Sequence, residues 1–282
     1  MIQIDYTEQL INYRKYLLDE EKSAATMEKY LRDVRRFLSF LEGFPKGTGI
    51  NKEHTIAYKA HLSGSYAPAS VNSMLIAMNG FLKFCGLSNL CVKLLKIQRQ
   101  IFCKKEKELT GCEYQRLLRA SKGTRLFYII RTIGGTGIRV SELQYITVDA
   151  VRRGKADVNC KNKNRIIFLP KEVRIILKEY IAKAGIKKGS VFVTRSGKPL
   201  NRSNIWRDMQ SLCKRANVSE KKVFPHNLRH LFARTFYGIE KDIVRLADLL
   251  GHSSINTTRI YTIESGERHM SCLEKVQKKL TT

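Results

Sequence analysis

The run HNLRHLFARTFYGIEKDIVRLADLLGHSSINTTRIYT, residues 226–262, concentrates the side chains from which a catalytic site could be assembled. Pro225 just before it can open a helix, since the N–H it lacks would be unpaired there in any case. His226 and Arg229, three apart on that helix, share one face. His252 follows Gly251, and Tyr261 comes nine residues later. Tyr261 is one of 12 tyrosines, and a tyrosine is ordinarily a packing residue with one polar tip. Its spacing from His252 sets it apart from Tyr180 and Tyr237.

Upstream, Arg139 follows the glycines of GGTG, residues 134–137, and precedes Ser141 and Glu142. This order places it at an expected helix start, where backbone N–H groups also favour an anion. Further on, ADVNC and RIIFLP flank KNKN, which predicts a β-hairpin with a basic tip at residues 161–164. Around the hairpin the pattern is helical. Thr110 and Glu113 form a candidate capping box ahead of Leu117 and Leu118, and a second helix is expected over Thr124 to Ile133, ending in the glycines. Others are expected at about 170–184 and 201–216, followed by three short ones up to Tyr261. A last amphipathic segment, about Glu267 to Leu280, carries Met270, Leu273, Val276 and Leu280 on one side.

At 282 residues the chain exceeds the usual size of one domain, so two are expected. From Tyr6 to about Cys85 the apolar spacing is helical throughout. Leu10, Ile11, Tyr13, Leu17 and Leu18 mark a first helix; Met27, Tyr30, Leu31, Val34, Phe37, Leu38 and Leu41 mark a second, with Thr26 as its expected start and Gly43 and Pro45 as its end. A third is expected from about Asn51 to His61. A fourth follows Pro68, with Ser70 as candidate cap and Val71, Met74, Leu75, Met78, Phe81 and Leu82 buried. KIQRQIFCKKEK, residues 96–107, has five basic residues and no strong period. The expected division is a helical domain over 1–95, a basic linker over 96–107 and a second domain over 108–282.

Lys and Arg number 52 against 25 Asp and Glu, a net charge of +27. A surplus of that size draws a polyanion, either nucleic acid through counterion release or an anionic membrane surface. No apolar run approaches the ~20 residues of a membrane span, and MIQIDYTEQL lacks the basic-then-apolar order of a signal peptide. A cytoplasmic, nucleoid-associated protein is expected. The seven cysteines form no CxxC pair, which suits a reduced compartment and gives no zinc site. With DNA as partner, Lys29, Arg32 and Arg36 on the second helix are expected to meet phosphate, as are Lys104 and Lys105 of the linker and Lys163 of the hairpin.

Three segments, TGIRVSEL at 136–143, HNLRH at 226–230 and LGHSSINTTRIYT at 250–262, resemble the signatures of the tyrosine recombinase family (phage integrases and Xer-like enzymes) in order and separation. The likeness covers residues about 107 to 265, and the helical first half is similar to the family's core-binding domain in architecture and position. It implies a mainly α protein: an N-terminal all-α core-binding domain plus an α+β catalytic domain with a small β-sheet. It also implies a site-specific DNA recombinase, a strand transferase that uses neither metal nor ATP and needs no cofactor.

The residue types suit that chemistry. Breaking a phosphodiester without a metal requires a nucleophile, neutralisation of the non-bridging oxygens, and a proton for the departing sugar oxygen. By resemblance, Tyr261 attacks the scissile phosphorus, leaving a 3′-phosphotyrosine and a free 5′-hydroxyl. Arg139 and Arg229 clamp the phosphate with planar forks of donors, and His252 donates to the same group. His226 helps remove the tyrosine proton. The family's leaving-group acid is a hairpin lysine. The tip CKNKNR is one residue shorter than the GKGNKER-like form, so Lys161, which follows the first strand, is the choice and Lys163 the alternative. Glu142 resembles the family's acidic residue that supports the cluster. The implied partner is double-stranded DNA, bound by a homotetramer on two sites, with the C-terminal helix docking on its own domain or on a neighbour. A mobile-element role and a housekeeping role both fit the simpler, Xer-like layout.

Other readings are weaker. His226 and His230 have the i, i+4 spacing of a zinc helix, but HNLRH lacks the glutamate of HExxH and sets an arginine beside the would-be cation, so no metal is expected. His230 is expected to pack within the domain. A non-catalytic sequence-specific DNA-binding protein would share the charge without needing both arginines, His252 and Tyr261. A type IB topoisomerase-like nicking-closing enzyme would share the cut but not the exchange, and the apolar stripe after Tyr261 argues against it. Replacing Arg139 or Arg229 is expected to spare the fold.

Overall fold

Helices begin where a side chain can take up their free N–H groups, and the first half of the chain follows that rule with some shifts from expectation. The computed structural model describes residues 6–45, 49–97, 108–160, 163–194, 196–252, 254–261 and 266–281. Helix α1 spans Tyr6–Asp19 and α2 spans Ala24–Leu41. Ser23, not Thr26, caps α2: its Oγ accepts from the Thr26 N–H, and Thr26 lies inside the first turn. Asn51 caps α3, Lys52–Ser65, which continues a turn past His61. Helix α4, Pro68–Phe84, starts at the proline itself behind Ala67, so Ser70 is not its cap.

Leu31, Val34 and Phe37 of α2, Tyr58 and Leu62 of α3, and Val71, Leu75, Met78, Phe81 and Leu82 of α4 are buried. Each such aliphatic side chain contributes roughly 1.5–3 kcal/mol on leaving water. Asp33 is buried among them. Lys29 Nζ reaches its carboxylate at 2.7 Å and the Ser73 carbonyl at 3.0 Å, while Arg32 lies at 3.3 Å. A buried carboxylate requires such partners, so Lys29 has a structural duty beside any contact with phosphate. Arg36 donates to Tyr66 Oη at 3.1 Å.

Two asparagines on α4 hold the extended segment that follows it. Asn79 donates to the Val92 carbonyl at 2.8 Å and accepts from the Val92 N–H at 3.0 Å; Asn72 does the same to Leu95 at 2.9 and 2.7 Å. Each carboxamide supplies the donor and acceptor that a neighbouring strand would offer.

The chain divides into two compact units, Met1–Arg99 and Gln100–Thr282. In the second, Thr110 and Glu113 make both bonds of the expected capping box at α5, Gly111–Ser121. Helix α6, Arg125–Thr136, runs on through Gly134 and Gly135 and stops at Gly137, whose φ of +65° is left-handed. A Cβ there would also strike the Phe232 ring. The 3-10 turn Val140–Tyr145 and α7, Val148–Arg153, lead into a hairpin. Strands β1, Lys155–Cys160, and β2, Lys163–Phe168, pair antiparallel with Cys160 opposite Lys163. The connection is therefore two residues long, and Lys163 and Asn164 belong to β2 rather than to a four-residue tip.

Then come α8, Lys171–Lys183, α9, Arg202–Ala216, and α10, Pro225–Glu240, a 16-residue helix where a short one was expected. Helices α11, Ile243–Leu250, and α12, Ile255–Thr258, precede a 3-10 turn, Arg259–Tyr261, and α13 spans Gly266–Thr281. The protein is thus mainly helical, with one two-stranded sheet among the described residues. One core unites α5–α9 with the hairpin, through Ile129, Ile133, Val158, Ile167, Phe192 and Met209 among others. No described helix is long and apolar enough to cross a membrane.

The asparagine contacts give a test. Asn79→Ala and Asn72→Ala should each lower the unfolding free energy by about 1–3 kcal/mol, the cost of stranding partly buried backbone groups. The residues lie about 10 Å apart along α4, so urea denaturation of the double variant should show additive losses. A double variant no weaker than either single one would mean that the segment is held by other contacts.

Candidate active site

Arg229 is the floor of the site. It is 1% exposed, set one turn into α10 by the proline-initiated start that also fixes His226 and His230. Its Nη1 donates to the Gly137 carbonyl at 2.7 Å, and its Nη2 donates to the Leu250 carbonyl at 2.7 Å and lies 2.9 Å from His252 Nε2. Burial and the neighbouring Arg139 push its pKa down to about 10, while Tyr261 beside it holds it up. The guanidinium stays charged at neutral pH. The expectation that either arginine can be removed without cost to the fold needs correction here, because loss of Arg229 leaves two carbonyls unpaired in the interior.

Arg139 is more open, with 41% of its side chain exposed. Its Nη1 meets Glu142 Oε1 at 3.1 Å and its Nη2 donates to the Gly251 carbonyl at 3.2 Å. Its own N–H donates to Glu142 Oε2 at 2.7 Å. The segment that follows is a 3-10 turn, and this N–H is taken by a carboxylate. The expected anion-binding helix start is therefore not what makes the position cationic; the side chain does that. Glu142, 4% exposed, also receives Arg165 Nη2 at 2.5 Å, and Arg165 Nη1 donates to the Leu249 carbonyl at 2.7 Å.

Two histidine rings pack on the tyrosine, and a third packs on one of them. Tyr261, 4% exposed, has the His230 ring edge-on at 4.7 Å between centroids and the His252 ring stacked at 5.9 Å. His226 packs against His230 at 4.6 Å. His230, expected only to pack, thus stands between His226 and Tyr261. His252 Nδ1 lies 2.8 Å from Thr258 Oγ1. A guanidinium can only donate, so His252 Nε2 accepts from Arg229, and the network assigns the ring proton to Nδ1, shared with Thr258. In this state His252 cannot donate to a phosphate through Nε2 until the ring gains a second proton.

Burial, then Arg229, Arg139 and Arg165, push the His252 pKa down to about 4. Burial, then His226 and Arg229, do the same to His230. His226 is lowered by burial and by Arg229, Arg202 and Arg139.

Of the remaining expected residues, Lys161, Lys104 and Lys105 lie outside the described residues, and for Lys163 only the backbone, in β2, is described. Among the described residues no three His, Cys, Asp or Glu side chains gather as metal ligands. Arg165, Thr258 and the placement of His230 were missed by sequence reasoning. A signal existed for Arg165: strand alternation puts it on the side of the buried Ile167 and Leu169, opposite the exposed Ile166 and Phe168, and a charge on an inward face requires a partner.

The histidine environment predicts a pH dependence. In the fold His230 and His252 bind a proton only near pH 4, whereas the unfolded chain binds one near the ordinary value of 6.5. Between those limits the unfolded state holds more protons, so the stability they contribute is full above pH 6.5 and is lost as pH falls toward 4. Urea midpoints should therefore decline over that window, and His230→Phe should flatten the slope. An NMR titration showing either imidazole half-protonated at pH 6.5 would contradict the assignment.

Comparison with known proteins finds relatives along both halves of the chain. Residues 107–268 match the Phage integrase family, and residues 10–86 match the phage integrase N-terminal SAM-like domain. Tyrosine recombinase XerD of Halalkalibacterium halodurans is 28% identical over 280 residues, 90% of this chain and 91% of that protein. Tyrosine recombinase XerA of Thermococcus kodakarensis is 29% identical over 277 residues, 94% of each. A lambda integrase dimer bound to a COC' core site shares the fold, with a TM-score of 0.72 at 17% identity over 90% of this chain and 94% of that one. With its matched region spanning more than half its length and carrying Arg139, Glu142, Arg229, His252 and Tyr261, the chain belongs to the phage integrase family of tyrosine recombinases.

Proposed function

We propose that the protein is a site-specific tyrosine recombinase that cleaves and rejoins duplex DNA through a 3′-phosphotyrosine at Tyr261 and exchanges strands between two sites. One observation carries this reading: Tyr261 is held against His230 and His252 and within hydrogen-bonding reach of the buried Arg229. A tyrosine that only packed would not need a buried arginine and two histidine rings against it.

In the reaction the Tyr261 oxygen forms a bond to the scissile phosphorus, and the bond from phosphorus to the 5′ oxygen breaks. The tyrosine proton passes to the histidine cluster, and the departing oxygen takes a proton from Lys161 or, as the alternative, Lys163. Arg139 and Arg229 neutralise the non-bridging oxygens, where a preorganised donor counts most. Resealing reverses the steps on a new 5′-hydroxyl, and the bond energy kept in the phosphotyrosine removes any need for a cofactor.

Residues 1–95 would bind DNA as the core-binding domain, 96–107 would serve as a basic tether and 108–282 would carry the chemistry. The relatives' solved complexes include a lambda integrase tetramer bound to a Holliday junction, which supports a homotetramer on two sites here. Helix α13 favours docking on a neighbour: Met270, Leu273, Val276 and Leu280 are 50–77% exposed in the single chain, an apolar stripe that its own domain leaves uncovered. With that function, on chromosomal or mobile-element DNA, the protein would work in the cytoplasm with the nucleoid.

The test is to incubate the chain and its Tyr261→Phe form with nicked duplexes tiled from the DNA flanking its gene. Denaturing gels and peptide mass spectrometry should show an adduct at Tyr261 with the first, and binding without an adduct with the second. Binding with no adduct on any duplex would favour a non-catalytic DNA-binding protein. An adduct without strand exchange would favour a nicking-closing enzyme. Arg139→Ala should keep the fold and slow adduct formation by on the order of 10²-fold. Arg229→Ala should also destabilise the chain, by about 1–3 kcal/mol for each carbonyl left unpaired, which thermal unfolding measures.

A further inference from the structure

Arg165 belongs to none of the roles above. It lies on β2 opposite Val158, with 13% of its side chain exposed. Its two Nη atoms join parts of the site that are distant in the chain, Glu142 at 2.5 Å and the Leu249 carbonyl at 2.7 Å. The carbonyls of Leu249, Leu250 and Gly251 are consecutive, and each accepts from a different arginine: Arg165, Arg229 and Arg139. Gly251 also fits this arrangement. Its φ is +63°, and a Cβ at this position would press on the Arg165 side chain.

Resting on the recombinase reading, we infer that Arg165 is a positioning residue for the phosphate site, which locks Glu142 and the end of α11 together so that Arg139 and Arg229 are aimed before DNA arrives. Arg165 acts through both of its contacts. Glu142 holds Arg139 by its N–H and its guanidinium, so a shift of Glu142 moves the more exposed of the two phosphate arginines. The Leu249–Gly251 carbonyls anchor all three arginines, so a shift of that turn moves Arg229 and the adjoining His252. A lysine cannot replace it, because a single ammonium lacks the rigid fork that spans the carboxylate and the carbonyl together.

The test uses full-length protein and a nicked duplex whose scissile group is either the ordinary phosphodiester or a methylphosphonate, which has no negative charge on its non-bridging position. Rates of Tyr261 adduct formation, DNA affinity and thermal unfolding are measured for wild type, Arg165→Met and Arg165→Lys. On the phosphodiester, Arg165→Met should slow adduct formation by about tenfold or more, the scale on which loss of a supporting partner is felt, with DNA affinity unchanged. On the methylphosphonate, which leaves the aimed arginines no charge to neutralise, the variant-to-wild-type ratio should return to near one. Arg165→Lys, which keeps a cation beside Glu142, should recover thermal stability without recovering the rate. It carries the same comparison if the methionine form does not fold. An undiminished rate on the phosphodiester, or an equal loss on both substrates, would overturn the inference and leave Arg165 a purely structural ion pair. If wild type forms no Tyr261 adduct on any duplex, the recombinase reading itself fails, and this inference falls with it.

Discussion

The C-terminal end of α11 is the constraint on which the site depends. A helix leaves its last carbonyls without intrahelical partners, and buried ones must be satisfied. Here the accounting is complete. The Ala247 and Asp248 carbonyls accept from the N–H groups of Gly251 and His252, which the left-handed Gly251 turns back onto the helix. The next three carbonyls accept from Arg165, Arg229 and Arg139. One helix end, where the macrodipole is negative, thereby holds three guanidinium groups that would otherwise repel one another. They arrive from β2, α10 and the start of the Val140–Tyr145 turn, so tertiary structure alone brings them together.

Glu142 offsets only part of that charge. Three guanidinium groups against one carboxylate leave an unbalanced positive potential in a partly buried place, where screening by solvent is weak. Burial already disfavours the charged form of His252 and His230, and the neighbouring cations, all three arginines for His252 but Arg229 with His226 for His230, add to it, so both imidazoles are pushed down to about 4. Under the proposed function, an arriving phosphodiester would carry the charge that this arrangement lacks. It would compete with His252 for Arg229, favour a second proton on that ring and free Nε2 to donate. The resting hydrogen bond between Arg229 and His252 is thus compatible with the expected phosphate contact, provided that the anion comes first.

Much of this was legible in the sequence, for identifiable reasons. The capping box at Thr110 and Glu113 depends on neighbours in the chain, and the spacing of His226 and Arg229 depends only on helix geometry, so both survive folding unchanged. The caps of α2 and α4 shifted because a serine one turn earlier and a proline at the first position each satisfied the helix start before the expected residue could. Helix α6 ran through Gly134 and Gly135 because Tyr114 and Val173 pack where their side chains would be, a tertiary fact that overrides weak helix propensity. Arg165 and Thr258 were invisible for a different reason: their partners lie on other elements. Only the inward register of Arg165 hinted that it needed one.

Charge illustrates the same division between composition and structure. A net +27 names the class of partner, yet it does not say which cations are free to meet it. Lys29 is tied to Asp33 and Ser73, and Arg139, Arg165 and Arg229 are held by carbonyls and a carboxylate. Arg35 and Arg36, by contrast, line an open cleft with His61, Tyr58 and Tyr66, where an arginine can approach a phosphate without giving up a buried contact. Affinity for DNA should therefore come from exposed cations of this kind through counterion release. Under the proposed function, Arg139 and Arg229 would act at one phosphate only, the one to be cut, because the fold has already fixed their orientation.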